Sequence, residues 1–179
     1  MENGGNQRQL PKTRIGELFI AINRFSFFVV AIAAVHGVLA PLSKSLVHWH
    51  IPMGLGAAVL GLFSLVSAMF YLVVTGQMIK EAVQKRKISA DLFGRTKQFK
   101  KELFPWCMGA IVLLITMTVL GGAVHVGKIS KYVHLGFAAL TLAVYWGAIK
   151  SMKRNFDLNR ELIADTIDAV NALPASANS

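Results

Sequence analysis

Four apolar blocks of membrane length dominate this chain, at about 25–42, 50–76, 104–126 and 131–150. Each is close to the ~20 residues that an α-helix needs to cross a hydrocarbon core of ~30 Å. In that medium no water can bond an exposed N–H or C=O, so a spanning segment must satisfy its own backbone. Blocks of this length are therefore expected to be helices. Apart from Lys131 and Lys150 at the ends of the fourth, the blocks contain no Asp, Glu, Lys or Arg. The expected fold is an all-α integral membrane protein, a bundle of four transmembrane helices.

Charge placement supplies a topology. The formal net charge is +10. Of the 19 Lys and Arg residues, only Lys44, Lys128 and Lys131 lie on the two short bends that join block one to block two and block three to block four. The others precede the first block, fill the middle connection or follow the fourth, and all nine acidic residues share that side. The positive-inside rule then places both termini in the cytoplasm and the two short bends outside, with the plasma (bacterial inner) membrane as the location. The basic excess reads as topology and contact with membrane lipid, and not as a nucleic-acid surface.

Residues 1–12 are rich in Asn, Gly and Gln and are expected to be flexible. The segment 13–24 sets Ile15, Leu18, Phe19 and Ile22 at helical spacing among charges, as an amphipathic helix at the interface does. Small residues near Leu39-Ala40 suggest a leader cleavage point, but Pro41 would follow it, so an uncleaved anchor is expected. The transmembrane domain is expected over 13–154. Pro52 fits the first turn of the second helix, and the third is expected to start near Phe104-Pro105-Trp106. The stretch 155–179 is expected to be a cytoplasmic tail. Within it Leu158, Leu162, Ile163, Ile167 and Val170 fall on one helical face, opposite Asp157, Glu161, Asp165 and Asp168. The loop 80–102 and the tail 157–173 are the candidate contacts for a protein partner.

All five histidines fall on the two outer bends. Ala34-Val35-His36 is followed by Ser43-Lys44-Ser45-Leu46-Val47-His48 and then His50; Ala123-Val124-His125 is followed by Ser130-Lys131-Tyr132-Val133-His134. This rhyme reads the bundle as two hairpins forming a parallel repeat, an arrangement that often places a site at the shared interface. Four helices would then each offer an imidazole to one layer near the outer face. Ionisable residues inside spans are functional candidates by default. Bis-histidine haem b fits: two helices supply axial nitrogens, and Gly37, Gly54, Gly56, Gly121, Gly122 and Gly136 let a flat macrocycle approach. His36, His48, His50, His125 and His134 are the candidate cofactor-binding residues, with His36, His50, His125 and His134 as the metal ligands. Lys44, Lys128 and Lys131 are placed to meet haem propionates or lipid headgroups. One or two haems are accommodated, with copper or non-haem iron as the alternative metal.

Cys107 is the only cysteine, so an internal disulfide is excluded, and without C-x-x-C-H so is covalent haem. No Walker, Rossmann, Ser-His-Asp or H-E-x-x-H pattern is present, which argues against a stand-alone hydrolase or transferase. The histidine-bearing helix ends, from His36 to His134, resemble in general form the four-helix membrane cytochrome b subunits that anchor respiratory dehydrogenases. This chain departs from many of them in carrying every candidate ligand on one side. The expected function is a small haem-b membrane protein, an electron-transfer subunit or accessory, with a quinone or a periplasmic carrier as redox partner. The alternative is a cofactor-free structural or assembly subunit of a membrane complex.

Overall fold

The computed structural model describes residues 14–174; the segment 1–12, expected above to be flexible, lies outside the described residues. Four helices account for nearly all of it: α1 (Arg14–Leu39), α2 (Lys44–Arg86), α3 (Asp91–His125) and α4 (Lys131–Asn171), with a 3-10 turn, Ala40–Leu42, after α1. Each pairs with its neighbour in sequence and α4 closes on α1, so consecutive helices run antiparallel around one core. All four are long and apolar enough to cross a membrane. Their outer faces expose large apolar side chains such as Phe28, Ile32, Phe63, Phe70, Val112 and Val119. An apolar girdle of this extent exceeds what a water-soluble monomer leaves bare.

The helices outrun the apolar blocks. At 43, 35 and 41 residues, α2, α3 and α4 measure roughly 64, 52 and 62 Å at 1.5 Å per residue. They extend past the hydrophobic window at the end that carries the basic α2–α3 connection, forming a helical stalk. The third helix begins at Asp91, well before Phe104, and Pro105 lies in its interior. Pro52 likewise lies inside α2, which begins at Lys44. A proline removes one N–H bond and crowds the carbonyl four residues earlier, and membrane helices absorb that by local adjustment and by neighbouring helices. The tail is no separate element but the continuation of α4. Its Leu162 joins Leu92, Phe99, Leu103 and Phe156 in the buried cluster, and Arg95 of α3 pairs with Asp165 at 2.7 Å.

Local chemistry sets the connections. Ser43 and Ser130 cap α2 and α4, each side chain accepting from the N–H two residues on, Ser45 and Tyr132. α3 ends in a Schellman motif: the Lys128 N–H donates to Ala123 C=O (2.9 Å) and the Gly127 N–H to Val124 C=O (3.0 Å). Gly127 sits at φ 71°, where a Cβ is penalised.

At mid-bundle the helices approach most closely. A Cβ on Gly61 of α2 would lie 3.0 Å from Leu114 of α3, 3.5 Å from the Tyr145 ring of α4 and 3.7 Å from Val30 of α1. Beside it, Ser64 Oγ and Tyr145 OH share a 2.7 Å hydrogen bond. Asn23 of α1 donates to the Ser64 carbonyl (3.0 Å) and accepts from the Tyr145 hydroxyl (3.4 Å). All three residues are fully buried. The sequence sets Asn23 among the polar residues of an interfacial helix; the structure turns it inward, where these partners meet its amide.

Gly61→Val should force the four backbones apart and lower the thermal midpoint of the detergent-solubilised protein, an overpacking cost of about 1–3 kcal/mol. Gly56→Val, where an added Cβ meets nothing within 4 Å, should leave the midpoint within error. Equal midpoints for both variants would contradict this packing.

Candidate functional site

The end of the bundle opposite the stalk gathers three of the five histidines. His36 comes from the last turns of α1, His50 from the second turn of α2 and His134 from the first turn of α4. The His36 and His50 rings are stacked, 17° from parallel with centroids 5.9 Å apart. His50 and His134 meet edge-on at 6.3 Å and 73°. His50 is thus the middle member, bridging α1 and α4.

Backbone geometry holds the two flanking contacts. A Cβ on Gly37 would fall 2.7 Å from the His50 ring, and one on Gly121 would fall 3.2 Å from that of His134. Each imidazole therefore lies directly against a glycine of the facing helix, His50 on α1 and His134 on α3. The same rings face the backbones of Ala33 and Met117. One turn along α2 from His50, a Cβ on Gly54 would meet nothing within 4 Å, so the backbone there borders open space.

The polar accounting of this cluster is incomplete. The Nδ1 atoms of His36, His50 and His134 are all buried, and none has a hydrogen-bond partner among the described residues. An unpaired buried polar atom costs about 1–3 kcal/mol; at His50 and His134 the interaction with the backbone of Ala33 and Met117 offsets part of that cost. No group of three or more His, Cys, Asp or Glu among the described residues is placed to hold a metal ion. Two of the imidazoles stack and so do not converge on a common point, as the ligands of a closed three-nitrogen ion site must.

The other candidates lie outside the cluster. His48 is exposed beside Trp49, its ring centroid 6.1 Å away. His125 is the last residue of α3 and exposed. Lys44, Lys128 and Lys131 are exposed at the same end, with Lys131 over the Tyr132 ring at 5.3 Å. Cys107 is buried on α3 toward the stalk, apart from the histidines. Hence α3 contributes no imidazole to the cluster, only the Gly121 surface on which His134 rests.

Helix phase explains the sorting. Residues two apart on a helix face opposite ways, so His48 and His50 cannot both point inward. His50 stands seven residues, about two turns, from the buried Ala57, and that spacing marks the inward face. The rhyme between the hairpins is out of phase by one residue. Counting from the capping serines, His134 matches Val47, and His50 lies three residues further along that inward face.

Diethyl pyrocarbonate treatment of the purified protein, read by peptide mass spectrometry, should modify His48 and His125 well before His36, His50 and His134. Modification of His50 at the rate of His48 would refute this burial pattern. No protein-family model, no curated protein and no solved structure matches this chain.

Proposed function

We propose that this chain is a small haem-b protein of the plasma (bacterial inner) membrane, spanning it four times with both termini in the cytoplasm. Its axial ligands are drawn from His36, His50 and His134, in a layer near the outer face. The observation that carries the reading is the meeting of three imidazoles, His36, His50 and His134, from three helices at one end of an otherwise apolar bundle. Neutral imidazole binds haem iron through Nε2, and haem needs at most two such rings, not a closed cage. That requirement suits a cluster whose members do not converge as an ion site. The open side of Gly54 and the small residues around it leave a flat macrocycle a way in. Lys44, Lys128 and Lys131 border the layer, at the height that outward-pointing propionates would occupy.

When bound, haem supplies one-electron chemistry. The chain's own residues would hold and orient the ligating rings against Gly37 and Gly121 and exclude water through the apolar helix faces. A quinone in the outer leaflet or a periplasmic carrier is the redox partner that this placement favours. The stalk, built from the helices around 80–102 and 157–173, offers the surface for a protein partner.

A second reading, a cofactor-free structural or assembly subunit, is favoured by one observation: the His50 and His134 rings already fill the notches at Gly37 and Gly121. The two readings part on colour. A reduced-minus-oxidised absorbance spectrum of protein expressed with ample haem should show the sharp α band of a low-spin haem, with iron bound. His50→Ala should remove most of it, and His36→Ala or His134→Ala at least half, while His48→Ala and His125→Ala leave it unchanged. No α band and no iron or copper would overturn the haem reading in favour of the structural subunit.

A further inference from the structure

We propose that the groove between α3 and α4 at the stalk end of the apolar window binds one glycerophospholipid carrying a primary ammonium headgroup, phosphatidylethanolamine. The inference requires the bundle to cross a bilayer, as proposed above, and is independent of haem. The groove encloses about 740 Å³ and runs along one face of α4, flanked by Glu102 and Trp106 of α3.

Its walls change character along their length in the order that a phospholipid does. The Trp106 ring packs directly against Gly147, where any Cβ would collide with it. Trp146 packs on Phe27 of α1, ring centroids 5.4 Å apart. Indoles of this kind favour the boundary between hydrocarbon and headgroups. From Trp146 to Arg154 the helix rises ~12 Å, enough to pass through a headgroup layer of roughly 5–7 Å. Along that rise stand Lys150, its Nζ 5.8 Å from the Trp146 ring centroid, and then Arg154. Two cations just above an aromatic boundary fit a phosphodiester.

Two acceptors in the same groove select the rest of the headgroup. Glu102 accepts from the Gln98 amide at 3.1 Å through Oε1 and pairs only loosely with Arg154, at 3.9 Å, through Oε2, which leaves that oxygen capacity for a further donor. Asn155 is 1% exposed. Its Nδ2 donates to the Ser151 carbonyl at 2.9 Å, while its Oδ1 is buried with no partner among the described residues. A carboxylate and an orphaned amide oxygen beside a phosphate site ask for a cation that carries N–H donors. A primary ammonium supplies three such donors; the trimethylammonium of phosphatidylcholine supplies none, and the glycerol of phosphatidylglycerol supplies only neutral hydroxyls, which leave the Glu102 charge uncompensated.

The test is native mass spectrometry of the delipidated, detergent-purified full chain, titrated with phosphatidylethanolamine, phosphatidylcholine or phosphatidylglycerol of identical acyl chains. Phosphatidylethanolamine should be retained at about tenfold lower free lipid than phosphatidylcholine, the scale of one charge-assisted hydrogen bond. Glu102→Gln should bring the two within about twofold without weakening phosphatidylcholine, and Lys150→Gln should weaken both alike. Equal retention of the two by the wild type, tighter retention of phosphatidylglycerol, or an unchanged preference in Glu102→Gln would overturn the assignment. Lipid adducts are read by mass with or without haem, so failure here and failure of the haem reading are separate results.

Discussion

The hydrogen-bonded junction of Asn23, Ser64 and Tyr145 sets the register on which the rest of the bundle depends. Among lipid tails there is little hydrophobic drive to bring one apolar helix to another, so close packing at small residues and interhelical hydrogen bonds decide which faces meet. Gly61 supplies the close approach and the buried trio supplies direction, because an amide, a hydroxyl and a phenol are satisfied together at one sliding position only. Measured from that junction, His36 lies 13 residues along α1, His50 14 along α2 and His134 11 along α4. At 1.5 Å per residue these are rises of about 20, 21 and 17 Å. Three imidazoles from three helices thus reach one level because the polar junction aligns their helices. A slip of one turn in any helix would displace its histidine by ~5.4 Å and dissolve the cluster.

The stalk has a different physical basis. Beyond the apolar window the helices carry charged residues, and burial of apolar surface between their inner faces drives association. Leu92, Phe99, Phe156 and Leu162 cluster there, and the partly exposed Arg95–Asp165 pair closes over them. An ion pair this open to solvent adds modest stability and mainly selects which helix face is presented. The apolar face of the tail is partly consumed within the chain: Leu162 is buried, Leu158 and Ile163 pack against the core, and Ile167 stays exposed. What remains for a protein partner is Ile167 and the charged outer surface, where Lys80, Lys85, Lys97 and Lys101 lie.

Much of the architecture is legible in the sequence, and its gaps have physical causes. Uninterrupted apolar runs announce four helices long and apolar enough to cross a membrane, but hydropathy reports only the apolar stretch of each helix. It is silent on the amphipathic turns that carry α2 to Arg86, start α3 at Asp91 and extend α4 to Asn171. Pro52 and Pro105 suggest helix starts by their usual preference, yet both lie inside helices, since a single lost N–H bond weighs little against a long continuous ladder. Asn23 is the harder case. A polar residue next to Arg24 looks solvated, and only the partners presented by α2 and α4 reveal it as buried.

The histidines show why a repeated motif misleads when its phase is ignored. The two bends share the order Ser-Lys followed by Val-His, and in three dimensions they share their capping serines. One extra residue in the first bend rotates His48 by about 100° relative to His134, and His50 occupies the inward position instead. The ending of α3 at His125 similarly removes that imidazole from the layer, since the chain leaves the helix at the next residue. The surviving trio lies entirely at one end of the bundle. From His134 to Lys150, at the far end of the apolar window, α4 rises ~24 Å, and the described residues in that interval include no further histidine. Under the haem reading, a single layer so placed exchanges electrons with partners on its own side of the membrane. Carriage to the other side would require cofactors held by another subunit.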